Sequence, residues 1–180
     1  MRADAARNIE KVLSTGARLL AQDPTTTIAA IAAAAEVDRR TVYRRFESRE
    51  ALLAAVYEAR LDAVEAAIRE ARLTEAPVAV ALHRYAEGII RVNRDWPVEL
   101  QRMRADLTIR DRRAEFSAQV AAFVQRATDE GLFRDDLPEG WVDSLLRNIV
   151  HLASLEFPGI EPAQAADFAV ESLLRGAGRE

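Results

Sequence analysis

The sequence has 180 residues, of which 49% are hydrophobic and 30% charged, the balance of a folded globular protein with one domain or two small ones. It contains no cysteine, which excludes disulfides and thiolate metal sites. The N-terminus lacks the apolar core of a signal peptide, and no run of about 18 apolar residues occurs. We therefore expect a cytoplasmic protein that does not contact a membrane.

Composition and charge distribution point to helices and to a basic N-terminal segment. The chain has only 7 glycines and 6 prolines and is rich in alanine, the residue that loses least entropy in a helix. We therefore predict an all-α fold. Residues 1–49 carry nine basic and six acidic side chains, whereas residues 50–180 carry sixteen basic and twenty-three acidic ones. This asymmetry favours an N-terminal part that faces DNA, although the net charge of -4 alone argues weakly against nucleic acid.

The first four predicted helices follow from apolar spacing and from the capping residues between them. Asp23 and Pro24 stop the first helix, and one of the threonines at 25–27 caps the second. Asp38 caps the third helix and Ser48 caps the fourth. The predicted segments are residues 4–21, 28–35 and 39–45, and a fourth helix whose apolar stripe runs from residue 52 to residue 68.

The second and third helices are short, lie about three residues apart, and differ in charge. This pattern predicts a helix-turn-helix whose third helix enters the major groove, about 12 Å wide, while the second crosses the DNA backbone. Val42 and Phe46 are expected to point inward and anchor the third helix. The residues expected to point outward are Arg39, Arg40, Thr41, Arg44 and Arg45. A single arginine of this set is equally well explained as a solvated surface residue, but the group together favours DNA contact.

Three stretches of this region resemble the DNA-binding domain of the TetR family. They are Thr26 to Ala32 (TTIAAIA), Val37 to Phe46 (VDRRTVYRRF) and Ser48 to Leu53 (SREALL), at the spacing typical of that family. The resemblance implies that Thr27, Tyr43 and Arg49 contact phosphates, that Arg39, Arg40 and Thr41 face bases, and that Arg44 and Arg45 do either.

The sequence departs from the family pattern at three positions. Glu36 stands where glycine is usual, so the turn needs either a non-glycine residue at positive φ or another turn geometry. Asp38 replaces the usual serine or threonine cap and adds a negative charge near DNA. Arg40 stands where a small residue is common, which should change base preference or the depth of docking.

The rest of the chain is expected to be helical as well. Further helices are predicted from Pro77 onward, over residues 98–108, around Phe116 up to Gly131, over Trp141–Phe157, and from Pro162 onward. The segments Trp141–Phe157 and Ala165–Leu174 are apolar nearly all round, and such helices must be buried on every side. A partner subunit is the simplest cover, and the alternative is that both are central core helices of a monomer.

The TetR resemblance implies a helical second domain that binds a small effector and dimerises through its last two long helices. We predict a helix-turn-helix domain over residues 1–47 and an effector-binding and dimerisation domain over residues 48–180. The candidate interface residues are Trp141, Leu145, Leu152, Leu155 and Phe168. The candidate ligand-binding residues are Trp96, Met103, Phe116 and Phe123, all of which an ordinary core would need as well.

The sequence gives no support for metal binding, phosphate binding or catalysis. The only histidines, His83 and His151, are far apart, so we expect no metal site, and no phosphate loop or catalytic motif is present. We therefore expect no cofactor and no enzymatic activity. The leading hypothesis is a homodimeric transcriptional regulator, a repressor, that binds a palindromic double-stranded operator and is released by a small molecule. The alternative is a helical small-molecule binder or interaction module without specific DNA binding.

Overall fold

The computed structural model describes residues 2–98 and 107–179. These residues form eight helices and no strand, which confirms the predicted all-helical fold. The helices are α1 (Arg2–Gln22), α2 (Ile28–Ala34), α3 (Arg39–Arg45), α4 (Arg49–Ala71), α5 (Val78–Asp95), α6 (Leu107–Asp129), α7 (Trp141–Leu155) and α8 (Pro162–Ala177). None of these helices is long and apolar enough to cross a membrane.

The observed helix bounds follow the sequence prediction closely, with one correction. The bounds of α3 agree with the prediction, and α2 ends one residue earlier than predicted. Helix α7 was predicted to reach Phe157 but ends at Leu155. It ends before Phe157 because the ring of Pro158 disfavours the helical conformation for the residue that precedes it. The Arg94 side chain binds the carbonyl oxygens of the last turn and of the following turn. Most of the predicted helix over residues 98–108 lies outside the described residues.

The described residues divide into two compact units. The first unit contains residues 2–62 together with 95–98 and 107–109, and the second contains residues 63–94 and 110–179. Helix α4 contributes to both. The domain boundary predicted between residues 47 and 48 stays a prediction.

Each unit has its own apolar core. In the first unit, Val12, Ile31, Val42, Leu52 and Val56 are at most 2% exposed, so α1 and the helix-turn-helix share one core with α4. In the second unit, the largest fully buried side chains come from α5, the α6–α7 connection, α7 and α8; they include Leu82, Ile90, Phe133, Leu146 and Leu173.

Helices α4 and α5 approach closely within the second unit. A methyl group added at Gly88 of α5 would lie 3.0 Å from the Cβ atom of Ala67 in α4. Two small residues at this contact therefore let the helices pack at short distance.

Candidate nucleic-acid interface

Helix α3 has an anchored side and an exposed side, as the sequence predicted. Val42 is 2% exposed and Phe46, which caps the helix, is 3% exposed. On the other side Arg39, Arg40, Tyr43, Arg44 and Arg45 are exposed, and Thr41 is half-buried. Helix α3 thus carries four arginines and no acidic residue. The buried pair fixes the helix on the first unit while the cationic side faces solvent.

Side-chain caps define where α2, α3 and α4 begin. The Thr27 hydroxyl accepts a hydrogen bond from the Ala30 amide at 3.2 Å. The Asp38 carboxylate accepts one from the Thr41 amide at 3.2 Å, and the Ser48 hydroxyl accepts one from the Ala51 amide at 3.1 Å. Because Thr27 uses its oxygen as an acceptor, its O–H remains available to donate to a phosphate.

In the turn between α2 and α3 a non-glycine residue takes a positive φ, which is the first of the two possibilities that the sequence left open. Glu36 has a φ of 53°, the left-handed conformation usually taken by glycine. Its carboxylate binds the Lys11 ammonium of α1 at 2.7 Å. The hydrogen bond from Lys11 and its charge lower the pKa of Glu36. The extra negative charge at this turn is therefore paired with a cation of the same unit.

Tyr43 and Arg39 form a stacked pair on the exposed side of α3. The Arg39 guanidinium lies 5.1 Å from the centroid of the Tyr43 ring, in the geometry of a cation–π contact. An Arg39 N–H also points to the Tyr43 hydroxyl at 3.5 Å. The ring therefore orients the first arginine of α3, and the phenolic O–H stays free to donate.

Arg49 binds the α1–α2 connection rather than the exposed side of α3. Its Nε donates to the Thr26 carbonyl at 3.2 Å, and its Nη2 donates to the Pro24 carbonyl. In the same connection, Asp23 accepts hydrogen bonds from the hydroxyl and the amide of Thr25, which lower the pKa of Asp23. Arg49 thus positions the segment that leads into α2. This role of Arg49 could not be predicted from the sequence pattern, because the hydrogen-bond partners of Arg49 are backbone atoms more than twenty residues away.

The helix-turn-helix region matches a known family. Residues 12–56 match the profile described as "Bacterial regulatory proteins, tetR family". The match spans the second half of α1, all of α2 and α3, and the start of α4. The match identifies residues 12–56 as a TetR-family domain. The TetR-family fold is that of a DNA-binding regulator of transcription.

Solved structures of TetR-family regulators resemble this chain over nearly its whole length. The regulator LfrR from Mycobacterium smegmatis, in complex with proflavine, is 26% identical, with 94% of this chain and 96% of that chain covered and a TM-score of 0.70. The ketosteroid regulator KstR2 of Mycobacterium tuberculosis is 20% identical, with 96% and 95% covered and a TM-score of 0.80. PfmR from Thermus thermophilus is 19% identical, with 91% and 97% covered and a TM-score of 0.74. No protein of curated function matches the sequence.

The predicted interface residues lie at the surface of the second unit. Trp141, Leu152, Leu155 and Phe168 are 45–55% exposed, and Leu145 is half-buried. The structure adds Phe157, 51% exposed in the α7–α8 connection, which the sequence analysis had placed inside α7. Large apolar side chains this exposed are unusual in the core helices of a monomer.

The predicted ligand-binding residues have different environments. Phe116 and Phe123 lie on α6 and are buried in the second unit, at 8% and 2% exposure. The guanidinium of Arg112 lies 5.8 Å from the Phe116 ring and that of Arg126 lies 5.7 Å from the Phe123 ring. Trp96 is half-buried in the first unit. Met103 lies outside the described residues.

Neither histidine belongs to a metal-binding cluster within the described residues. His83 of α5 pairs with Asp167 of α8 at 2.7 Å, and His151 is exposed on α7. The His83–Asp167 contact joins two helices of the second unit.

Proposed function

We propose that the chain is a homodimeric repressor that binds a palindromic operator through α3 and releases it when a small molecule binds. The observation that carries this proposal is α3 itself, with its buried anchors Val42 and Phe46 and its four exposed arginines. An α-helix with its side chains is about 10–12 Å in diameter, which fits a major groove about 12 Å wide. A regulator of this kind acts in the cytoplasm, where bacterial DNA lies.

The proposed roles on α3 follow from position and chemistry. Arg39, Arg40 and Thr41 occupy the N-terminal end of the helix, which in helix-turn-helix proteins contacts base edges. Arginine binds guanine in a bidentate manner and also binds phosphate, so Arg44 and Arg45 suit either partner. Thr27 and Tyr43 each offer a hydroxyl donor for a phosphate oxygen. Arg49 positions the α1–α2 connection and can reach a phosphate only with its remaining N–H groups.

Two substitutions in α3 should separate base reading from phosphate contact. Arg40→Ala should lower discrimination between the operator and mismatched sites by about 1–3 kcal/mol, because one bidentate base contact is lost. Tyr43→Phe should weaken binding to all DNA sequences by about 1 kcal/mol, because phenylalanine keeps the ring beneath Arg39 but lacks the hydroxyl. Gel-shift titrations on matched and mismatched sites measure both effects.

The control for these variants is Arg91→Ala, which removes an exposed arginine of α5 in the second unit that pairs with Glu87. It should leave DNA affinity and selectivity unchanged. If Arg40→Ala has the selectivity of the unmodified protein, Arg40 does not read bases.

The proposed effector is a small, partly apolar molecule. LfrR was solved with proflavine, a planar aromatic compound, and KstR2 is described as a ketosteroid regulator. Both names support a small, partly apolar ligand for this chain as well. Trp96, Met103, Phe116 and Phe123 remain the proposed contacts. The ligand would favour a dimer whose recognition helices no longer match successive major grooves, about 34 Å apart.

Thermal unfolding with proflavine and with a steroid as two separate probes tests the effector proposal. A bound probe should raise the melting temperature. If the probe binds the form of the protein that does not bind DNA about 100-fold more tightly, the coupling free energy between probe and DNA is about 2.7 kcal/mol. Because coupling is reciprocal, operator DNA should weaken probe binding by the same factor. A panel of such compounds with no effect on melting would favour a regulator that responds to no ligand of this class.

The competing function is a helical binder without specific DNA binding. The net charge of -4 and the acidic Glu36 favour it slightly, whereas the arginines of α3 oppose it. The Glu36–Lys11 ion pair weakens that argument, because the carboxylate in the α2–α3 turn is locally compensated. Gel shifts with the DNA upstream of its own gene separate the two functions, since the competing function predicts no preference over competitor DNA.

A further inference from the structure

Lys11 of α1 is the only lysine in the chain, and a residue of the α2–α3 turn holds it. Its ammonium binds the Glu36 carboxylate at 2.7 Å, and the two side chains are 50% and 81% exposed. An ion pair this exposed contributes little to the stability of a protein, because water screens it and both side chains lose entropy. Lys11 can therefore change its partner at little cost.

The Lys11–Glu36 pair lies beside the end of α3 that is proposed to contact bases. Glu36 precedes Asp38, the cap of α3, by two residues, so their Cα atoms are at most about 7.6 Å apart. Val12, which follows Lys11 on α1, lines a small cavity together with Val42 of α3. Helix α1 therefore packs against α3, and the Lys11 ammonium lies at the edge of the surface that would meet DNA.

Glu36 is an unfavourable residue for this turn in two respects. Its φ of 53° is a conformation in which a side chain costs free energy that glycine does not cost. Its carboxylate also brings a negative charge toward the phosphates of DNA, which repel it. The favourable contact of the Glu36 side chain is the one that it makes with Lys11 in the free protein.

The chemistry of lysine suits an exchange between a carboxylate and a phosphate. Its ammonium is a compact charge on a flexible stem, whereas arginine, the other 24 of the 25 basic residues, has a rigid fork that matches one planar partner. DNA offers phosphates along both edges of a major groove, and each cation that neutralises one of them releases counterions. This release favours a phosphate over the single carboxylate of Glu36.

We propose that Lys11 contacts a phosphate of the bound operator and that Glu36, by holding Lys11 in the free protein, limits the affinity for DNA. On binding, the ammonium leaves the carboxylate and pairs with a phosphate, and the Glu36 carboxylate returns to water. This inference rests on the proposed binding of DNA through α3 and adds to it a contact made by α1 and the residue that opposes it. Because phosphates carry no sequence information, both residues should act on affinity and not on base preference.

The salt dependence of DNA binding tests the Lys11 contact, with the duplex from upstream of its own gene as the probe. Lys11→Met removes the charge and keeps a flexible apolar stem. Each neutralised phosphate contributes about 0.9 to the slope of log affinity against log salt concentration, so the loss of one contact per subunit should make the slope of a dimer shallower by roughly 2. Arg91→Met, which removes an exposed cation of α5 that pairs with Glu87, should leave the slope unchanged.

Glu36→Gln tests the restraint, because glutamine keeps the length of the side chain and the conformation of the turn while it removes the charge. It should raise the affinity of a dimer for the same duplex roughly 10-fold, since both copies of Lys11 are released. The matched control is Glu10→Gln, at an exposed acidic residue next to Lys11 on α1, which should change the affinity less than about 2-fold. Equal gains from the two substitutions would show that net charge alone sets the affinity and would overturn the restraint.

Because Lys11 is the only lysine, acetylation with an amine-reactive reagent and peptide mass spectrometry can follow its side chain directly. The upstream duplex should protect Lys11 from acetylation, and a competitor duplex at the same concentration should not. Urea unfolding verifies that every variant is folded.

The outcomes distinguish this inference from the proposed function. If the unmodified protein shows no preference for the upstream duplex over competitor DNA, both are overturned. If it binds that duplex specifically, while Lys11→Met keeps the salt slope of the unmodified protein and Lys11 is acetylated equally with and without the duplex, only the inference about Lys11 and Glu36 is overturned.

Discussion

Leu152→Glu is expected to convert the proposed dimer into monomers, raising its dissociation constant by at least roughly 1,000-fold, or about 4 kcal/mol. The symmetric interface would bury two carboxylates among apolar side chains, and each would lose its hydration without gaining a partner. Leu152 is 49% exposed in the single chain, so the monomer itself should stay folded. Phe168→Glu, at 52% exposure, should act in the same way.

Val80→Glu is the matched control for the interface variants. It makes the same kind of change at a position of α5 that is 41% exposed and outside α7 and α8. Multi-angle light scattering at micromolar concentration should find a dimer for Val80→Glu and a monomer for Leu152→Glu. A dimer that survives both Leu152→Glu and Phe168→Glu would place the interface on another surface.

Arg94→Ala is expected to lower the free energy of unfolding by about 3 kcal/mol. The Arg94 guanidinium binds four carbonyl oxygens where α7 ends: those of Ala153 at 3.1 Å, Ser154 at 3.3 Å, Phe157 at 3.0 Å and Ile160 at 2.5 Å. Alanine would leave these acceptors without that donor, and an arginine that caps a helix also interacts favourably with its dipole. The neighbouring Asn93 adds a bond to the Ser154 hydroxyl at 3.0 Å.

Arg91→Ala provides the comparison on the same helix. Arg91 is exposed and pairs with Glu87 one turn away, so its loss should change stability by no more than about 0.5 kcal/mol. Urea unfolding at one fixed protein concentration measures both variants, because dimer formation makes apparent stability depend on concentration. Equal losses for the two variants would mean that the Arg94 contacts do not stabilise the α7–α8 connection.

The contrast between Arg94 and α3 shows which parts of the structure the sequence could predict. Helix α3 was predicted with its observed bounds because its determinants are local: the Asp38 cap at one end and the buried Phe46 at the other. The contacts of Arg94 and Arg49 were not predicted, because each guanidinium binds backbone oxygens brought near only by the fold. An arginine that caps a distant helix and one that is merely solvated have the same sequence signature.

The second unit was predictable in outline but not in detail. The apolar residues all round Trp141–Phe157 predicted a covered helix, and Trp141, Leu152 and Leu155 are 45–55% exposed in the single chain. The same argument misplaced Phe157, because hydrophobicity alone ignores the restriction that Pro158 places on the residue before it. The role of Phe116 and Phe123 as ligand contacts stays a prediction, since a buried phenylalanine fits a pocket and a core equally well.

Footprinting of the DNA upstream of its own gene tests the central claim most directly. We predict protection of two half-sites of a palindrome, with centres about 34 Å apart, because a symmetric dimer presents two copies of α3 to successive major grooves. Binding should weaken steeply with salt, since several arginines displace counterions from phosphates. Protection of a single half-site, or binding without preference over competitor DNA, would contradict the account.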